Sequence, residues 1–214
     1  MTKLYIFQAV FTFLRAMLGL FVPIYLFSLG YGFPFVFFYA MMTSVVFLSA
    51  IPLFIWLIRH IGFKYTLLLS IPIYLGHIWS LNFVADSILY FHLAWLAFGL
   101  YLASFWPAFH SEVAVNGHKG HRGQEVGTLQ VLSMFMASLA PMDGGFVLEA
   151  FTYGVLVSLA TVLLLLGIIP LLFSKDIKLK HYQFHYRDYL RLRKHKYLKD
   201  STHSFRAEGT QNLL

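Results

Sequence analysis

The residues of this chain that could do chemistry are few and lie inside long apolar stretches. Arg15 interrupts the first of these about twelve residues in, roughly 18 Å along a helix at 1.5 Å per residue, and so near mid-membrane. A central arginine costs about 2.5–3.5 kcal/mol on insertion scales, so it must face a cavity or a partner. It is either a substrate or counter-ion contact, or a structural pair with backbone carbonyls or a carboxylate such as Asp143. By the same count Asp143 stands about 27 Å up its own helix, toward the outer face, so a direct pair would need the long arginine to reach outward. His77 and His92 also fall in apolar stretches. An imidazole there can carry a coupling proton or can simply be a hydrogen-bonded packing group. Trp79, Trp95, Trp106 and the many Phe and Tyr residues serve helix contacts, or form the apolar wall of a substrate cavity. The cluster His110-Ser111-Glu112, His118, His121 and Glu125 has ligand types suited to zinc, but not the helical His-Glu-x-x-His spacing of zinc hydrolases. It is expected to be a polar cytosolic loop, with no metal. The chain has no cysteine, which excludes thiolate chemistry and disulfides, and no cofactor is expected. No nucleophile with an adjacent base, glycine-rich phosphate loop or carboxylate pair is visible, which argues against an enzyme.

The elements that would position these groups are membrane helices. With 59% hydrophobic and 12% charged residues, the 214-residue chain departs from any ordinary soluble composition. Its apolar residues come in consecutive blocks, which favours spanning helices over a barrel. The blocks run about Leu4 to Leu29, Pro34 to Ile58, Tyr65 to Val84, Ile88 to Phe109, Val126 to Leu148 and Phe151 to Phe173. Nothing at the N-terminus reads as a cleaved signal. Loops after the first, third and fifth blocks are tiny and lack Lys and Arg. The basic residues gather elsewhere: Lys3, then Arg59 and Lys64, then Lys119 and Arg122, then ten more after Phe173. The positive-inside rule therefore places six spans with both termini in the cytoplasm. Each block carries proline, to be read either as kinks that packing tolerates or as bending in gating helices.

Residues 1–173 form the expected transmembrane domain, and 174–214 a basic cytoplasmic tail or inter-half loop. In that tail Tyr182, Tyr186, Tyr189 and Tyr197 interleave with Arg187, Arg191, Arg193, Lys194 and Lys196, fitting a helix on anionic lipid headgroups better than a nucleic-acid site. The sequence Leu20-Phe21-Val22-Pro23 in the first block is echoed by Ser104-Phe105-Trp106-Pro107 in the fourth, either as a three-plus-three repeat or by coincidence in a Phe-rich chain.

The stretch Gly117 to Leu148 resembles part of the major facilitator superfamily of secondary transporters. In that family a basic residue and glycine lead into a fifth helix ending in Gly-Pro-x-x-Gly-Gly. Here Arg122-Gly123 precedes Gly127, and Ala140-Pro141-Met142-Asp143-Gly144-Gly145 closes the block, with Ala for the first Gly. Pro23-Ile24-Tyr25-Leu26 with Leu29-Gly30 looks like the family's first helix and outer turn. Arg59-His60-Ile61-Gly62-Phe63-Lys64 is similar to its Asp-Arg-x-Gly-Arg-Lys loop, matching at Gly62 and Lys64, with Arg59 where the acid would stand. Trp95 occupies the place of a fourth-helix arginine, four residues before Gly99.

The resemblance implies an all-α six-helix bundle equivalent to the N-terminal half of such a transporter, in the cytoplasmic membrane of a prokaryote. It further implies movement of a small solute, with H+ or another coupling ion, by alternating access. The missing second half would come from a continuation of the chain beyond Leu214 or from a homodimer partner. Arg15 is the expected substrate or ion contact, followed by Asp143, His77, His92 and Trp95. Gly127, Pro141, Gly144 and Gly145 are expected to allow close, bending helix packing. A polytopic membrane enzyme, or an interaction protein working through its basic tail, are the alternatives.

Overall fold

A computed structural model of the chain describes residues 2–116 and 121–173. The loop residues His118 and Lys119, the side chains of Lys3 and Arg122, and the basic tail from residue 174 onward lie outside the described residues. Among the described residues seven helices follow in chain order: α1 (Thr2–Gly19), α2 (Phe21–Ser28), α3 (Phe33–Ile61), α4 (Phe63–Asn82), α5 (Ile88–Asn116), α6 (Arg122–Ala150) and α7 (Tyr153–Leu172). Every apolar block is helical. Among the described residues five spans are long and apolar enough to cross a membrane: α1 with α2, α3, α5, α6 and α7. The chain is thus a helical, multi-pass integral membrane protein. The remaining block, the third in chain order, is α4, which is 20 residues long, about 30 Å, and matches α7 in length. Its lower hydropathy comes from Lys64, Thr66, Ser70, His77, Ser80 and Asn82, and three of these (Thr66, Ser70, His77) are buried.

The first block is two helices because Pro23 has no N–H to donate to the Gly19 carbonyl, four residues back. Prolines at 52, 72, 107, 141 and 170 lie inside unbroken helices. The residues whose carbonyls they release are Leu48, Leu68, Ala103, Ala137 and Leu166, all strong helix formers, whereas glycine is about 1 kcal/mol worse than alanine. The ladder therefore opens at Gly19-Leu20, although Leu20 itself keeps helical dihedrals (φ −66°, ψ −33°).

Two boundaries differ from the sequence expectation. Helix α5 runs seven residues past Phe109, so His110, Ser111 and Glu112 are helical instead of lying in a polar loop, and Glu112 is buried. Helix α6 continues past Gly144-Gly145 to Ala150, which puts both glycines inside the helix.

Packing follows a simple scheme. Helix α1 lies against α6 and α7, while α5 lies against α3 and α4. Exchanging the first three spans for the last three turns one set of neighbours into the other, and the α3–α4, α6–α7 and α4–α7 contacts obey the same exchange. The core is aromatic: Phe11 stacks on Phe105 at 4.6 Å between ring centroids and meets Tyr74 and Tyr101 at 5.6 and 5.8 Å. Two glycines set the closest approaches. A Cβ on Gly99 would come within 2.6 Å of Val46 Cβ and 2.8 Å of the Thr43 carbonyl oxygen on α3. A Cβ on Gly144 would come within 2.6 Å of the Phe21 ring and 2.9 Å of the Met17 carbonyl oxygen. Gly62 joins α3 to α4 with φ 93°, a left-handed value that glycine alone adopts without strain. Two residues on, Lys64 Nζ donates to the Leu172 carbonyl at 2.7 Å, placing a cation on the C-terminal end of α7.

Candidate functional site

One face of α1 carries Gln8, Thr12 and Arg15, spaced i, i+4 and i+7, which puts them on one line of a helix inside the bundle. Gln8 and Thr12 are buried. Gln8 Nε2 donates to Thr12 Oγ1 at 3.0 Å and to Ser133 Oγ of α6 at 3.1 Å, so the lower part of this line ties α1 to its neighbour. The upper end is Arg15, half-buried. Its guanidinium carbon lies 5.1 Å from the Trp106 ring centroid, a cation–π contact with α5. It stands beside the buried Tyr101 hydroxyl, whose oxygen its guanidinium can reach as a donor. No carboxylate of the described residues forms an ion pair with Arg15.

Outward from Arg15 a cavity of about 160 Å³ opens beside the α1–α2 break. Gly19, Val22 and Pro23 form one wall, α3 supplies Tyr39 and Ala40, α4 supplies Tyr74 and His77, and α5 supplies Phe98. Proline's interruption of the ladder at Gly19 therefore falls at the cavity wall, beside the mid-helix charge. Across it, His77 Nδ1 is 3.1 Å from the Ala94 carbonyl oxygen and 3.2 Å from Tyr39 Oη. A carbonyl only accepts, so the ring proton sits on Nδ1. In the neutral ring the Tyr39 oxygen can then accept the same proton, its own O–H is available to donate elsewhere, and Nε2 is left as an acceptor. The site holds a cation, phenolic donors and a neutral imidazole within apolar walls.

The other expected residues are placed differently. Asp143 is exposed on α6, away from the interior that holds Arg15, and the two do not pair. His92 is exposed on α5, where it accepts a hydrogen bond from Trp95 Nε1 at 3.1 Å. Trp95 also meets Phe38 edge-on and offers its carbonyl oxygen to Thr43 Oγ1 at 3.5 Å. Neither residue lines the cavity. A Cβ on Gly127 would meet nothing within 4 Å, so no helix approaches closely there, and on Gly145 it would meet only Phe21 at 3.9 Å. Close approach on α6 rests on Gly144 alone. Arg59 and Gly62 stay with Lys64 at the α3–α4 turn, apart from the cavity.

Sequence reading passed over Tyr39, Tyr74 and Tyr101, because a tyrosine in an apolar run looks like any other aromatic. The spacing of Gln8 and Thr12 ahead of Arg15 was the available signal for a polar line on α1.

The class these features define is a polytopic helical membrane protein with a small, partly polar cavity inside its bundle. No protein-family model matches the chain, and no curated protein matches it.

Proposed function

We propose that this chain is one six-span half of a secondary transporter of the major-facilitator type, with both termini cytoplasmic. It would move a small solute across a prokaryotic cytoplasmic membrane by alternating access. The observation that carries the reading is Arg15, a half-buried cation without a carboxylate partner among the described residues, at the wall of a cavity beside a helix interruption. Interrupted helices at mid-membrane are where transporters hold substrates. The exchange symmetry of the packing supports it, since repeats of three spans are a transporter design. So does the outward surface of α6, where Gln130, Ser138 and Asp143 are exposed among Val131, Phe135 and Met142. A carboxylate and an amide facing bare hydrocarbon are costly, which fits a second half or second copy covering these groups.

The chain contains no cysteine, so one introduced thiol is diagnostic. Ala40→Cys places it at the exposed wall of the cavity. A membrane-impermeant maleimide should modify it in intact cells and also in inverted vesicles. Modification from one side only, or from neither, would rule out alternating access.

A further inference from the structure

We infer that the cavity beyond Arg15 binds a small monocarboxylate with a flat apolar body, of about the size of benzoate. This rests on the transporter reading only for its purpose; the binding site stands or falls separately.

Three features select that chemistry. The first is charge. Among the described residues Arg15 is the one charged side chain in the cavity wall, its guanidinium carbon is 5.1 Å from the Trp106 ring centroid, and none of their carboxylates neutralises it. A cation at mid-membrane height is stabilised by an incoming anion, and a carboxylate matches the planar guanidinium fork. The second is donor geometry. Because His77 gives its Nδ1 proton to Ala94 and Tyr39, the Tyr39 hydroxyl keeps a proton for an anionic oxygen. His77 Nε2 is an acceptor and gives nothing to a carboxylate, so a second anionic group would find no cation or further ring N–H here. That favours one carboxylate over two. The third is size and wall character. The cavity measures about 160 Å³ and its wall is otherwise largely apolar, with Leu18, Val22, Leu26, Ile78, Leu81 and Phe98. A cavity of about 150 Å³ lined by such side chains accommodates benzene. One ring fits, whereas an acyl chain or a sugar does not: the first is too long, and the second has hydroxyls that would lie unpaired against apolar walls.

The test is isothermal titration of the purified full chain in mild detergent with benzoate, benzyl alcohol and benzylamine. Benzoate should bind at least tenfold more tightly than benzyl alcohol, which keeps the ring and loses the charge, and benzylammonium should not bind. Arg15→Gln should remove the preference for benzoate over the alcohol, while Tyr39→Phe should weaken benzoate severalfold. Ala40→Phe fills the cavity from its exposed wall and leaves Arg15 in place, so it should abolish binding of both ring compounds in a protein that still elutes as a single species. Equal affinity for benzoate and benzyl alcohol, or benzoate binding that survives either Arg15→Gln or Ala40→Phe, would overturn the assignment. Benzoate binding with an Ala40→Cys thiol reachable from one side alone would sink the transporter reading and keep the site. Two-sided reactivity without benzoate binding would do the reverse.

Discussion

Helices α5 and α6 are the same length, 29 residues, their most apolar windows have nearly the same mean hydropathy, and each contains one proline. Yet 39% of the most apolar window of α5 is buried within the bundle and only 11% of that of α6. The difference lies in where the polar groups and small residues stand. Helix α5 turns Ala94, Tyr101, Ala103, Ser104 and Ala108 inward and buries all of them, so α3 and α4 close around it. Helix α6 puts Gln130, Ser138 and Asp143 on its exposed side and approaches α1 through Gly144. Hydropathy tells that a helix enters a membrane; the distribution of small and polar residues tells what it faces there.

The sharpest way to break this comparison is to place the same bulk on both helices. On α5, Gly99→Leu would drive side-chain atoms into the rigid Val46 Cβ and the Thr43 carbonyl, neither of which can swing aside. Overpacking of this kind costs about 1–3 kcal/mol and sometimes more. The variant should lose most of its monodisperse material in size-exclusion chromatography. On α6, Gly127→Leu enters open space and should leave the elution profile unchanged. If the two variants behave alike, α5 is not the inner helix and α6 not the outer one.

A smaller effect separates positions within α6. At Gly144→Ala the new methyl meets the Phe21 ring, which can rotate, and the Met17 carbonyl oxygen at 2.9 Å, which cannot. A loss of about 1–2 kcal/mol is expected, seen as a lower melting temperature in detergent. Adding Phe21→Ala should recover part of that loss, because half of the clash is then gone. Full recovery would mean that the backbone contact with α1 is not limiting.

Much of this arrangement could be read from the sequence, and the remainder has identifiable causes. Six helical blocks and Arg15 as the interior charge were legible because hydrocarbon penalises every polar group that lacks a reason to be there. Asp143 obeyed the same rule but on the other side of its helix, since one chain shows a charge's height along a helix and not the neighbour it turns toward. The α5 extension through Glu112 was missed because polarity marks the end of hydrocarbon, not the end of a helix. The tyrosines around the cavity were hidden by their apolar rings. The close approach at Gly99 was not distinguishable from the open space at Gly127 without knowing which helices are neighbours.

Within the buried site, Tyr39→Phe removes one hydroxyl beside His77 and nothing else. The imidazole retains the Ala94 carbonyl as acceptor, so the variant should lose only about 1 kcal/mol of stability, the worth of one hydrogen bond. A much larger drop in melting temperature would mean that the tautomer is held by Tyr39 and not by the backbone.

The finest test compares α1 with α5 at their matching prolines. Pro23 releases the carbonyl of Gly19 and the helix opens; Pro107 releases that of Ala103 and it does not. If the residue four positions before the proline decides the outcome, Gly19→Ala should extend α1 toward α2. A Cβ there meets nothing within 4 Å, so the change carries no packing penalty and should stabilise the protein by roughly 0.5–1 kcal/mol. Ala103→Gly should do the opposite, with a further loss of about 0.8 kcal/mol for the buried methyl. Amide hydrogen exchange reads the two sites directly: protection should rise at Pro23's neighbours in the first variant and fall around Pro107 in the second. Unchanged exchange at residues 19–22 in Gly19→Ala would place the cause of the break in the walls of the cavity, and not in the local backbone.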